Sequence, residues 1–369
     1  MDIKQILAKD SWTTEELAYL IGLEEEADCQ ALYEAAYKVK EKYIGRFAYF
    51  RGLIEFSNQC IKNCLYCGIR RDNEKADRFC MSREDILRMA AWAYEHKYGS
   101  VTLQSGERSD EAFISFVESV LKDIKKIGDG SLGITLCVGE QTEETYRRFF
   151  EAGAHRYLLR IESSDPQLYH TIHPKDALHS WHTRVDCLHR LRRAGFQVGT
   201  GIMSGLPGQT PLHLAKDVEF FKEMNIDMIG MGPYVVHGDT PLGQQVIQAG
   251  LDTEEARMKR LRLGLNMIAV TRLYLKDVNI AVTTSLQALH PKGREWGLLA
   301  GGNILMPILT VPEHKKKYLL YQNKPAMEAT ETEIKDLLVA DVERAGDTVG
   351  FGRWGDSPHF AAQQKKNKD

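Results

Sequence analysis

The 369-residue chain has no apolar run long enough to span a bilayer. Its first residues, Met1-Asp2-Ile3-Lys4-Gln5, lack the positive-then-apolar pattern of a leader. Neither sign of charge is in surplus: the net charge is −3, so no overall basic field draws in nucleic acid. Two short cationic runs, Arg70-Arg71 and Lys315-Lys316-Lys317, are expected to be solvated faces. The seven cysteines are odd in number and three are clustered, which excludes a disulfide framework. None lies beyond Cys187, and there is no low-complexity tract. The expectation is a cytoplasmic protein with neither nucleic acid nor membrane as partner.

What is present is alternation. Short β-branched or apolar runs recur at 49–56, 100–104, 133–138, 156–161, 197–203, 228–235, 279–284 and 303–306. Amphipathic stretches lie between them, at 82–96, 111–127, 143–151, 182–194, 211–224 and 252–275. Eight such strand–helix units predict an α/β fold, a complete (β/α)8 TIM-type barrel. A doubly wound open sheet is the competitor. Residues 1–45 read as an N-terminal helical cap, with Leu17, Leu20 and Ile21 on one stripe and Leu32, Ala35, Ala36 and Val39 on another. The barrel is expected over 46–310. A C-terminal extension over 311–369 should pack on it, with a helix near 330–342 and a frayed polar end from Gln363 to Asp369.

Catalytic groups of such a barrel belong at the carboxyl ends of its strands. After the first run comes Phe56-Ser57-Asn58-Gln59-Cys60-Ile61-Lys62-Asn63-Cys64-Leu65-Tyr66-Cys67-Gly68, a C-x3-C-x2-C pattern. Three thiolates this close can converge on one metal centre. An iron–sulfur cube takes one thiolate per iron, so three leave one iron open. A structural zinc site is the alternative, but it wants paired cysteines or histidines. Only Cys80 is near enough to complete a set, and the nearest histidine is His96. Cys29 and Cys137 read as core or cavity residues.

This spacing, with an aromatic before the last cysteine, resembles the signature of radical S-adenosylmethionine (SAM) enzymes. The resemblance implies a [4Fe-4S] cluster on Cys60, Cys64 and Cys67, with SAM on the fourth iron and Tyr66 near the adenine. Gln104-Ser105-Gly106-Glu107 resembles the family's second-strand motif. That likeness implies that Ser105, Gly106 and Glu107 meet the SAM ammonium. Arg160 and Glu162, two apart on a strand, share a face. They are either a structural ion pair or partners of the ribose and methionine. Arg184 either pairs with the SAM carboxylate or is an exposed helix arginine. The glycine-rich 199–209 stretch is neither a Walker A loop nor a dinucleotide fingerprint; it resembles the adenine-lining fifth strand.

Longer blocks narrow the resemblance. Asn63 to Asn73, Leu103 to Glu107, Arg156 to Arg160, Gly205 to Thr210, Asp227 to Pro233 and Asp239 to Leu242 resemble the HydE family. These are radical SAM maturases of [FeFe]-hydrogenase, similar to biotin synthase and methylornithine synthase. The likeness implies action on an iron–carbonyl–cyanide–cysteine precursor inside the barrel. It also implies other maturases as partners and an electron donor such as ferredoxin or flavodoxin. On it, Arg51, Gln104, Thr135, Met228, Thr283 and Thr284 face the substrate. Inward Arg51 needs an anionic partner; Met228 by itself reads more often as core, and Thr283-Thr284-Ser285 equally as a local turn. The absence of late cysteines implies no second cluster in the C-terminal region. Gln104 and Gly199-Thr200, where biotin synthase is expected to carry cysteines, argue against that enzyme. A radical SAM mutase or lyase on an amino acid, methylornithine synthase-like, and a non-enzymatic iron–sulfur carrier are the competing functions.

Overall fold

The structure, a computed structural model, describes residues 1–366. All eight expected runs contain strands: β1 (Phe47–Ser57), β2 (Ser100–Ser105), β3 (Gly133–Cys137), β4 (Arg156–Leu158), β5 (Gln197–Thr200), β6 (Met228–Ile229), β7 (Asn279–Ile280) and β8 (Ile304–Leu305). They pair in parallel in the order β8-β1-β2-β3-β4-β5-β6-β7. Between the two end strands stand one parallel bridge, Ala281 to Ile304, and two backbone bonds. In these, Asn303 N–H donates to Ile280 O at 2.9 Å and Val282 N–H to Ile304 O at 2.8 Å. The result is a nearly closed eight-stranded parallel barrel ringed by helices.

Period-2 alternation sorts the side chains of β1. Phe56 faces outward onto Phe113 of helix Glu111–Ile124, ring centroids 6.1 Å apart. Arg51, Leu53 and Glu55 therefore face the barrel interior. The helices begin where the sequence supplies caps: the hydroxyls of Ser82 and Thr142 accept from Asp85 and Thr145 N–H.

Four strands stop well before their expected ends, the seventh at Ile280. The fifth run breaks after Thr200, and Met203–Ser204 pairs instead with Gly232–Pro233. A Cβ on Gly201 would lie 2.1 Å from Gly230 O, so the two chains approach there more closely than side chains permit. The sixth run splits at the same place, and the fourth ends at Leu158.

The N-terminal helix Glu26–Tyr43 packs on helix Glu254–Leu275, where Tyr33 Oη donates to Asn266 Oδ1 at 2.7 Å. Its inner stripe is Leu32, Ala36 and Lys40; Ala35 and Val39 are only half-buried. Lys40 is fully buried because it pairs with Asp347 from the far end of the chain. The C-terminal segment then plugs the amino-terminal floor of the barrel. Thr348–Val349 pairs with the start of β1. Gly355 O accepts from Arg51 at 3.1 Å and from Asn279 at 2.8 Å. Arg156 reaches Trp354 O at 2.9 Å and Asp356 at 2.5 Å. Of the tail expected to fray, Gln363 to Lys366 close a helix, Pro358–Lys366, with Gln363 bonded to Asn225 at 2.8 Å. Its last three residues, 367–369, lie outside the described ones. Among the described residues no helix is long and apolar enough to cross a membrane.

Candidate active site at the barrel mouth

The cysteine loop leaves β1 at the carboxyl end of the barrel. Cys60, Cys64 and Cys67 are all free and half-buried, whereas Cys80 is exposed. Burial pushes all three thiols up, Cys64 to about 12, and the nearby thiols add to the shift of Cys64 and Cys67. A cationic centre would relieve this. Zinc needs its ligands within about 2.0–2.3 Å of one point. Among the described residues no three His, Cys, Asp or Glu groups gather so tightly. An iron–sulfur cube instead carries each thiolate on its own iron, so the thiols need only face a common volume. The donor set fits the cluster better than the single ion.

The loop after β2 presses against the cysteine loop. Gly106 N–H donates to Ser57 O at 2.8 Å and Ile61 N–H to Glu107 O at 2.9 Å. Glu107 N–H points at Cys60 Sγ, 3.3 Å away. A Cβ on Gly106 would sit 2.3 Å from Gln59 O, so only glycine permits this contact. Ser105 Oγ turns back onto Gly106 O at 2.7 Å.

Beside the loop lies a belt of two cations and two carboxylates. Lys62, from inside the cysteine motif, reaches Glu140 at 2.8 Å and Glu107 at 3.2 Å. Arg184 reaches Glu140 at 2.5 Å, Arg160 O at 3.2 Å and Glu107 at 3.7 Å. It is thus no exposed helix arginine. Burial raises Glu107, partly offset by Arg184. Burial also works on Glu140, but Arg184 and Lys62 outweigh it and hold that carboxyl low. The charges balance, which is what allows them to be buried.

Arg160 and Glu162 come together beyond the end of β4 rather than on it. Arg160 NH2 lies 2.9 Å from Glu162 Oε2. That oxygen takes no further hydrogen bond beyond this ion pair, and the buried Arg160 Nε and Ser204 Oγ have no partner. Glu162 holds a left-handed φ of 65°, uncommon for a side chain of its size and typical of functional sites. Burial raises its carboxyl against the pull of Arg160. A second apolar cluster, separate from the main core, forms beside it. Met203, Leu206, Tyr234 and Val236 build it, with Leu65 and Tyr66 packed on top. Tyr66 meets His173 edge-on at 5.4 Å. Unsatisfied polar atoms next to an apolar platform fit a ligand with hydroxyls at one end and an aromatic base at the other. SAM has both.

The six expected substrate residues divide. Arg51, Thr135 and Met228 line an internal cavity of ≈ 20 Å³, room for about one water. Arg51 bonds Met228 Sδ at 3.0 Å, and Thr135 accepts from Arg156 at 2.9 Å. These groups belong to the layer sealed by the C-terminal plug. Gln104 sits higher, beside Cys137 in the register, and donates to Tyr318 Oη at 3.2 Å. Thr283 bonds Met231 O at 3.2 Å and Ser285 at 2.8 Å, and Thr284 accepts from Arg294 at 3.2 Å. Sequence reasoning missed Lys62, Glu140, Tyr318 and Lys324. Lys62 and Glu140 carried a signal, since one lies inside the motif and the other just past a strand end.

Known proteins agree with this geometry. The model of the Radical SAM superfamily matches residues 54–221. The chain is 36% identical over 355 residues to the [FeFe] hydrogenase maturase subunit HydE of Thermotoga maritima, covering 96% of each. It is 24% identical to 3-methylornithine synthase of Methanosarcina acetivorans, over 80% of this chain and 79% of that one. Solved structures of methylornithine synthase (PylB) and of the maturase HydG from Carboxydothermus hydrogenoformans share the fold, each with a TM-score of 0.76. Their identities are 22% and 19%; each alignment covers 95% of this chain, and 97% and 79% of theirs. The three free cysteines at the barrel mouth and the full-length match to HydE agree: this chain belongs to the HydE family of radical SAM enzymes, the [FeFe]-hydrogenase maturases.

Proposed function

We propose that the protein reductively cleaves SAM at its barrel mouth and acts there on an iron–carbonyl–cyanide–cysteine precursor of the hydrogenase cofactor. The observation that carries this reading is the meeting of three free cysteines with the Arg160–Glu162 ion pair and the unpartnered Arg160 Nε and Ser204 Oγ around one mouth. Cys60, Cys64 and Cys67 would hold the [4Fe-4S] cluster. Bound there, the cluster supplies the electron that breaks a carbon–sulfur bond of SAM and yields a 5′-deoxyadenosyl radical. Glu162 and Arg160 take the ribose hydroxyls, and Tyr66 with the apolar cluster takes the adenine. Arg184, Glu107 and the Ser105-Gly106 backbone receive the amino-acid end. Arg184 offers the carboxylate a cation already paired with Glu140, which keeps the site balanced before SAM arrives. Gln104, Thr283 and Thr284 face the precursor, with Arg51, Thr135 and Met228 forming the floor beneath it.

The same reading takes the barrel as complete and divides the chain into cap, barrel and C-terminal extension at 45 and 310. It places the protein in the cytoplasm, with an electron donor such as ferredoxin or flavodoxin and with other maturases as partners. The test is anaerobic reconstitution followed by reduction with dithionite, SAM addition and quantification of 5′-deoxyadenosine. Formation should rise when the iron–cysteine precursor is added. Equal turnover with a free amino acid and no iron complex would point to a mutase or lyase instead.

A further inference from the structure

Between Lys315 and Glu331 the chain forms neither helix nor strand, yet Tyr318 and Lys324 within it are buried. It crosses the barrel mouth. Lys317 O accepts from Asn58 Nδ2, just past β1, at 2.8 Å. Leu320 O accepts from Gly68 N–H in the cysteine loop at 2.9 Å. Gln322 N–H donates to Val236 O, beyond β6, at 3.4 Å. The Tyr321 phenol lies beside Thr284 and Arg294, beyond β7. The contact with the cysteine loop is tight: a Cβ on Gly68 would lie 2.0 Å from Leu319 O and 2.5 Å from the His237 ring.

Two side chains turn from this segment into the barrel. Tyr318 accepts from Gln104. Lys324 donates to both oxygens of Glu55, at 2.6 and 2.7 Å, and to Tyr318 O at 3.0 Å. Glu55, Gln104 and Cys137 share one row of the register. The ion pair is therefore inside the barrel mouth, and both partners are buried. Lys315, expected on a solvated face, is buried too; it donates to Ala326 O at 3.2 Å and Ala329 O at 2.8 Å, fixing the far foot of the segment. Asn323 and Ala326 flank Lys324 with left-handed φ values of 57° and 60°.

We propose that residues 316–326 form a strap across the barrel mouth, latched by the Glu55–Lys324 ion pair, which must lift for SAM and a small-molecule substrate to pass. The inference rests on the reading that ligands enter at the cysteine end. A segment without a ladder of its own keeps its place through a few scattered backbone and side-chain bonds, so one strong bond can decide its position. A buried ion pair suits that task. Neither charge is tolerated alone in the interior, so the strap is either fully seated or fully released.

Hydrogen–deuterium exchange on the anaerobically reconstituted protein tests the latch. In Lys324→Ala, exchange across 316–326 should rise at least about tenfold while peptides from β2 and β3 keep their protection. Because that variant leaves Glu55 unpaired, Glu55→Gln/Lys324→Met serves as the arbiter: it removes both charges and should show the same local rise. Release of bound SAM, followed by rapid dilution, should quicken in both. Unchanged exchange in the double variant, or a rise equal in strap and barrel, overturns the latch. The exchange arm needs no SAM. A protein that binds none would overturn the functional reading and leave the latch result standing.

Discussion

Gly106→Ala should damage the site through one steric contact. The glycine has an ordinary backbone conformation, so alanine brings no φ penalty there. Its methyl carbon would lie 2.3 Å from Gln59 O and 2.8 Å from Cys60 Cβ. Real contacts of this kind do not fall below 3.0 Å, so the loops must part by at least 0.7 Å. The obstacle at Gln59 is backbone and cannot rotate away. Two bonds pin the loops together, from Gly106 N–H to Ser57 O and from Ile61 N–H to Glu107 O. Overpacking costs about 1–3 kcal/mol, and weakening such bonds adds about 1 kcal/mol. The total, roughly 2–4 kcal/mol, falls on the junction between the cysteines and the loop assigned to the SAM ammonium. SAM affinity should drop by about 30- to 1000-fold if all of it is expressed in binding. Equilibrium dialysis of reconstituted protein with labelled SAM, alongside iron and sulfide analysis, reads the effect. Wild-type affinity, cluster content and melting temperature together would refute the steric reasoning.

Asp217 should make stability depend on pH. Burial pushes its carboxyl up to about 7, and the bond from Ser164 N–H at 2.7 Å offsets only part of this. The folded value lies above the unfolded one, so the folded state keeps a proton that the unfolded state releases. Stability from this group is therefore complete below about pH 4 and is lost as pH rises to about 7. Asp217→Asn should match wild type at pH 4 and exceed it by roughly 3–4 kcal/mol at pH 8 in guanidinium titrations. An equal gain at both pH values would contradict the assignment. Arg184→Ala leaves Glu107 and Glu140 to share Lys62, and should cost about 3–5 kcal/mol of stability by the same titration. Adding Glu140→Gln should recover part of that loss.

The barrel was legible because its signals are local. Thr142 and Ser82 cap their helices from the adjacent residue, and eight runs of strand-like composition lie between amphipathic stretches. The helices Pro166–Ile172 and Pro241–Gln248 were missed although Asp165 and Thr240 cap them and proline opens each. The breaks at Gly201 and Gly230 were hidden, because close approach depends on which chains face each other. In the site, the cysteine loop and the Arg160–Glu162 pair could be read from spacing. Alternation could tell that Arg51 faces inward, but not that the C-terminal segment bonds it from below. The Glu55–Lys324 pair spans 269 residues, and nothing near either residue announces the other.

The cluster assignment is most directly tested by electron paramagnetic resonance of anaerobically reconstituted, dithionite-reduced protein, with and without SAM. A reduced [4Fe-4S] signal should appear, change shape when SAM is added, and vanish in Cys64→Ala. Protein that holds zinc in place of iron, or a signal indifferent both to SAM and to the loss of Cys64, would contradict the account.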